Sequence, residues 1–187
     1  MGYTTFFDGA FEFNKPVDDM MRDYINRFAS IRHMKRDVEK IKEIYPNWRM
    51  LCFCGNLGSY GEYFIGGNMY RDMSIIDNNK PAPGVPELWC QWVINKEGKL
   101  VWDQGEKFYE YIPWLKYLIS RFFEPNGYVL NGKMEFQGED DDDFGVIIVT
   151  DNVVEVKYGY HIKDLKSIDD NTLIHELMSR GYNVSMQ

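Results

Sequence analysis

The chain has 187 residues, 44% of them hydrophobic and 16% aromatic. That is enough to bury a core without disulfides or structural metals, and it excludes a wholly disordered chain. The formal net charge is −8, and residues 101–150 alone carry 4 Lys/Arg against 10 Asp/Glu.

An acidic chain disfavours sequence-independent nucleic-acid binding, which needs a basic surface to neutralise phosphates. It suits a basic protein surface, and solubility alone accounts for the same charge. No apolar run is long enough for a membrane span. The opening Met1-Gly2-Tyr3-Thr4-Thr5-Phe6 has no basic or apolar leader region, so no secretory signal is expected. Cys52, Cys54 and Cys90 are odd in number and do not form a secreted disulfide framework. A reduced, cytoplasmic chain is the expectation.

Tyr3 to Phe13 reads as a strand, or as a strand pair broken near Asp8-Gly9. Asn14-Lys15-Pro16 is read as a helix start with an Asn cap. Val17, Met20, Met21, Tyr24, Ile25, Phe28 and Ile31 then form one apolar helical face. Arg32, His33, Lys35, Arg36, Lys40 and Lys42 cluster beyond it, diluted by Asp37, Glu39 and Glu43. A phosphate site and a solvated face of mixed charge both fit that cluster.

Residues 54–87 read as an irregular insertion rich in Gly and Pro within a single domain spanning 1–187. Phe64 and Ile65 are read as one short strand within it. The insertion carries neither the dinucleotide fingerprint nor the Walker loop. Its functional reading is an exposed binding loop with Tyr60, Tyr63, Phe64, Tyr70 and Arg71 as contacts, since Tyr and Arg carry interface energy. The alternative is that these aromatics fold back onto the core. Cys52 and Cys54 share a face if the segment is extended, but with Cys90 they supply only three soft ligands. Buried thiols are expected, and no metal or other cofactor.

Leu88 to Asn95 and Lys99 to Asp103 read as a hairpin around Asn95-Lys96-Glu97-Gly98. Lys107 to Phe123 is helical, with Pro113 leaving an irregular first turn or a start near Tyr111. Strands follow at Tyr128 to Gly138, with a bulge expected at Gly132, then at Phe144 to Thr150 and Val153 to Val156. Ser167 to Gly181 is predicted helical. The expected class is α+β, a mainly antiparallel sheet with helices packed on one face and a long Gly/Pro-rich middle insertion.

Glu139, Asp140, Asp141, Asp142 and Asp143 form an acidic run without the spacing of a calcium loop, read as a solvated turn and as part of a binding surface. Asp103, Glu106 and Glu139 would serve acid–base chemistry only if they line one cleft.

Trp89-Cys90-Gln91-Trp92, Trp102-Asp103-x-Gly105-Glu106-Lys107-Phe108-Tyr109, Gly127-Tyr128-Val129-Leu130-Asn131-Gly132 and Gln137-Gly138-Glu139-Asp140 resemble a family of small proteins of tailed-phage genomes and some bacteria. Gly2-Tyr3-Thr4-Thr5 and Arg32-His33-Met34-Lys35-Arg36-Asp37 are similar too. The resemblance implies a phage or prophage origin, a bacterial cytoplasm and no transferable catalytic residues. By analogy with small phage proteins, it implies a non-enzymatic accessory protein that binds a host or defence protein. A binder of a nucleotide signal and a carboxylate-based hydrolase are the alternatives.

Overall fold

In β1 (Phe6–Phe13), Phe7, Phe11 and Phe13 alternate with the outward-facing Asp8 and Glu12, so one face is buried. The computed structural model describes residues 2–67 and 72–159, together with 172, 174 and 175. After β1 come α1 (Asp19–Ala29), β2 (Met34–Arg36), α2 (Val38–Ile44), β3 (Ile75–Pro81), β4 (Trp92–Ile94) and β5 (Leu100–Trp102). They are followed by α3 (Tyr111–Leu118), β6 (Leu130–Gln137), β7 (Phe144–Thr150) and β8 (Val153–Tyr158). A six-stranded antiparallel sheet runs β4-β5-β1-β6-β7-β8, and β2 pairs with β3 in a separate ribbon. The α+β class is as expected. The helix predicted over Ser167 to Gly181 lies outside the described residues except at those three positions.

β1 is one continuous strand, paired from Phe6 with Gln137 to Phe13 with Leu130. Gly9 and Gly132 make this possible. Their φ angles are +124° and +141°, and the register runs unbroken through both, so the expected bulge at Gly132 is absent. A Cβ on Gly132 would stand 2.8 Å from the Ala10 carbonyl oxygen. Gly132→Ala is therefore expected to lower the unfolding free energy by at least about 2 kcal/mol, as read by urea denaturation.

The cap of α1 is Asp18, not Asn14: its carboxylate accepts from the Met21 N–H at 2.8 Å. Asn14 is used across the sheet instead, exchanging hydrogen bonds with the Val129 backbone. The apolar face of α1 is buried as expected apart from Met20, which is exposed. α3 begins at Tyr111, the later of the two expected starts. Glu110 sits in the left-handed region just before it, and Pro113 falls in the first turn, where no N–H is needed. A wide π turn over Ile119–Phe123 continues it and buries Phe122 and Phe123.

Both helices join the core on one face of the sheet, against Phe11, Met134, Phe136, Ile147 and Val149. The other face presents Asp8, Glu12, Lys133, Glu135 and Lys157. The β7–β8 turn has Asp151 and Asn152 both at positive φ, as a two-residue hairpin turn requires. Among the described residues no helix is long and apolar enough to cross a membrane.

Candidate functional site

The 54–87 insertion is not wholly irregular. β3 lies within it, paired with β2, and only its polar run Asp77-Asn78-Asn79-Lys80 hid it. A short second core of Ile41, Cys52, Leu57 and Phe64 fills the lobe formed by β2, α2, β3 and the intervening loop.

Arg36 and Asp72 lock the lobe. Their side chains are 4% and 3% exposed, and the guanidinium donates to the Asp72 carboxylate at 2.7 Å. Arg36 also donates to Ser74 Oγ at 2.8 Å and to the Gly67 carbonyl at 2.6 Å, and it lies over the Phe64 ring. The Tyr45 hydroxyl donates to Asp72 at 2.6 Å. Burial pushes the Asp72 carboxyl up, but the hydrogen bonds from Tyr45, Ser74 and Arg36 outweigh it and hold the carboxyl below its ordinary value. The reading of Arg36 and His33 as part of a solvated charged face is thus corrected. β2 alternation turns Arg36 inward, and the His33 ring packs against Phe28 and Trp114.

The lobe docks on the main body through Tyr24, whose hydroxyl donates to the Tyr63 carbonyl at 2.9 Å. Tyr63 packs on Phe122, and Phe64 is 1% exposed. Phe64 is therefore a core residue and not a surface contact, because it packs with Ile41, Cys52 and Leu57 in the lobe core, against Tyr45. Tyr60 remains at the surface, 38% exposed, with the Lys35 ammonium over its ring. Tyr70 and Arg71 lie outside the described residues. Cys52 is buried and Cys54 exposed, with Cys54 in the left-handed region, so the two thiols do not share a face. No group of three metal-ligating side chains forms among the described residues.

The acidic run closes the β6–β7 hairpin. Gln137 shapes the turn, its amide donating to the carbonyls of Gly138 and Asp140. Two of the five carboxylates also clamp the N-terminal segment. Glu139 accepts from the Thr4 N–H at 2.8 Å, and Asp143 accepts from the Tyr3 hydroxyl at 2.7 Å. The Tyr3 N–H in turn donates to the Tyr109 hydroxyl at 3.2 Å. The acidic turn thus connects to the 103–110 loop through Tyr3.

Sequence reading assigned no role to a cavity of about 400 Å³ between residues 87–91 and the 103–110 loop. Arg32, Trp89, Lys107 and Tyr109 line it, with Glu87 and Glu106 at the same opening. Its floor is Gln91, whose amide is fixed at both ends: Trp102 Nε1 donates to its oxygen at 3.0 Å, and its nitrogen donates to the Glu106 carbonyl at 2.8 Å. Gln104, Lys107 and Glu110 of the adjoining 103–110 loop are all non-glycine residues at positive φ, and of the three Lys107 lines the cavity. Such a cluster of left-handed residues persists only where the surroundings impose it, and it marks sites more often than scaffolds. Trp89-x-Gln91 and Glu106-Lys107-x-Tyr109, from two of the recognised motifs, face each other here, and their coincidence was the available signal.

The three candidate catalytic carboxylates are not brought into this cavity together. Glu106 lines it, but neither Asp103 nor Glu139 does. Burial lifts the Asp103 carboxyl above its ordinary value, against a hydrogen bond from the Gly105 N–H.

Comparison with protein-family models, curated proteins and solved structures finds no match for this chain. The geometry defines an α+β protein with a docked insertion lobe and a lined cavity.

Proposed function

We propose that this chain is a non-enzymatic accessory protein of tailed-phage type that binds and modulates a host or defence protein in a bacterial cytoplasm. The observation that carries the reading is the distribution of exposed apolar side chains. Among the described residues ten large hydrophobics are exposed, and Ile44, Met50, Tyr60, Met73 and Ile76 all belong to the insertion lobe. Met50 and Met73 are 79% and 77% exposed, far beyond what packing in a small core requires. Exposed methionines and isoleucines on a locked scaffold suit protein recognition, because thioethers adapt to a partner's surface and the scaffold pays little ordering entropy. The contact set is thus shifted from Tyr63 and Phe64 to the lobe's outer surface around Tyr60.

The test is affinity capture from a bacterial lysate followed by native mass spectrometry. A captured host or defence protein should bind at least about ten-fold more weakly when Met50→Glu and Met73→Glu are combined, with the melting temperature unchanged. Met20→Glu, on α1 outside the lobe, should leave capture intact. Equal capture by the lobe variant and the parent chain would sink the assignment.

A further inference from the structure

We propose that the cavity between residues 87–91 and the 103–110 loop binds a nucleoside monophosphate. This site is independent of the lobe surface proposed above.

The half-buried indole of Trp89 is the stacking platform, and the Arg32 guanidinium lies over it at 5.8 Å from the ring centroid. Arg32 is held in place, its Nε donating to the Asn78 carbonyl at 3.0 Å. A nitrogen heterocycle on such a surface gains about 1–3 kcal/mol from stacking, whatever the base. Lys107 supplies a second cation at the opening, and its side chain runs over Gly2. Arg32 and Lys107 together recognise a phosphate, the guanidinium as a fork and the ammonium as a point charge.

Glu87 and Glu106 select within that class. Carboxylates accept hydrogen bonds and donate none, so they match ring N–H groups, exocyclic amines and ribose hydroxyls. They also cancel the two cations, leaving the opening neutral on balance. A monophosphate is tolerated there, and a triphosphate meets two carboxylates without cations to spare. The floor is preorganised by Gln91, so ordering costs on binding are low. At Gly105 a Cβ would stand 3.0 Å from the Gln91 amide, so the loop backbone is seated directly on that floor.

Isothermal titration with AMP, GMP, CMP and UMP, and with inorganic phosphate and ATP as controls, tests this. At least one monophosphate is expected to bind with a Kd below about 1 mM, and inorganic phosphate and ATP at least about ten-fold more weakly. Lys107→Gln and Trp89→Leu should each weaken the bound nucleotide about ten-fold or more, while Trp89→Phe, which keeps a stacking face, should stay within a few-fold. Lys107 is exposed, so its variant carries the test even if Trp89→Leu does not fold. Met50→Glu with Met73→Glu should leave the titration unchanged, which separates this site from the lobe surface. No heat with any monophosphate at about 5 mM, or equal binding by Lys107→Gln and the parent chain, overturns the proposal.

Discussion

Asp72→Asn should lower the unfolding free energy by about 3–5 kcal/mol, the cost of leaving one charge of a buried pair without its partner. The isolated charge is Arg36, which loses its carboxylate at a site only 4% exposed. Ser74 and Gly67 still accept from the guanidinium, but neither carries a charge. An Asn amide has one acceptor oxygen, so it cannot serve both the Tyr45 hydroxyl and the Ser74 N–H, which donate to different oxygens of Asp72. Arg36→Met should cost a similar amount by stranding the Asp72 carboxylate. Combining Arg36→Met with Asp72→Leu should recover most of the loss, because an apolar pair has no charge to desolvate. Urea denaturation of the parent, Arg36→Met, Asp72→Leu and the double variant closes the cycle. Amide exchange should accelerate first over Leu57, Phe64 and Ile65, because the pair ties Gly67 and Ser74 to β2. Additive single and double effects would show that the two residues do not act as a unit.

The second large effect is an acid destabilisation set by His33. Burial drives its pKa down to about 3 from an ordinary 6.5, with the Arg36 charge acting in the same direction and a hydrogen bond to the Phe28 backbone acting against both. The imidazole sits 4.1 Å from the Phe28 ring and 5.0 Å from the Trp114 ring, measured between centroids. Among the described residues neither His33 Nε2 nor Trp114 Nε1 has a hydrogen-bond partner. The native state therefore holds the ring neutral, while the unfolded chain takes up a proton near pH 6.5. Stability is fully present above that pH and is lost progressively as pH falls toward 3.

The loss should be about 2 kcal/mol at pH 5 and on the order of 4–5 kcal/mol near pH 3. Asp72 adds in the same sense. Its carboxyl is held low in the fold, so its contribution is present at neutral pH and disappears as pH falls through the folded value. His33→Phe keeps a ring in the slot and removes the titration. Its melting temperature should fall less than the parent's between pH 7 and pH 5. Parallel curves for the two proteins would show that His33 does not govern the acid limb.

The elements with a strong local period were legible. The α1 face from Val17 to Ile31, the β4–β5 hairpin around Asn95 to Gly98, and the meander from Leu130 to Tyr158 all follow from alternation, helical spacing and turn residues. The start of α3 at Tyr111 was one of two alternatives that Pro113 left open. β2 and β3 were not legible. Met34-Lys35-Arg36 is too short to show a period, and β3 carries four polar residues in a row. Their pairing rests on contacts across the insertion, which no window along the chain samples.

Acidity, the odd cysteine count, the helix and strand faces and the α+β class were properties of the sequence by itself, because each depends on composition or on neighbours a few positions apart. Which charged residues became buried was decided only by the tertiary structure. Arg36 and Asp72 are 36 positions apart, and each looks like an ordinary surface charge until β2, β3 and the Gly67 turn close around them. The same holds for Phe64, which a glycine-rich neighbourhood presents as exposed and the lobe core takes in. It holds too for the cavity, where Arg32, Trp89 and Lys107 come from three separate segments. Local pattern determines which face of an element is apolar. Chain closure over long separations determines which polar groups then share a site, and that information lies in the packing of elements rather than in any one of them.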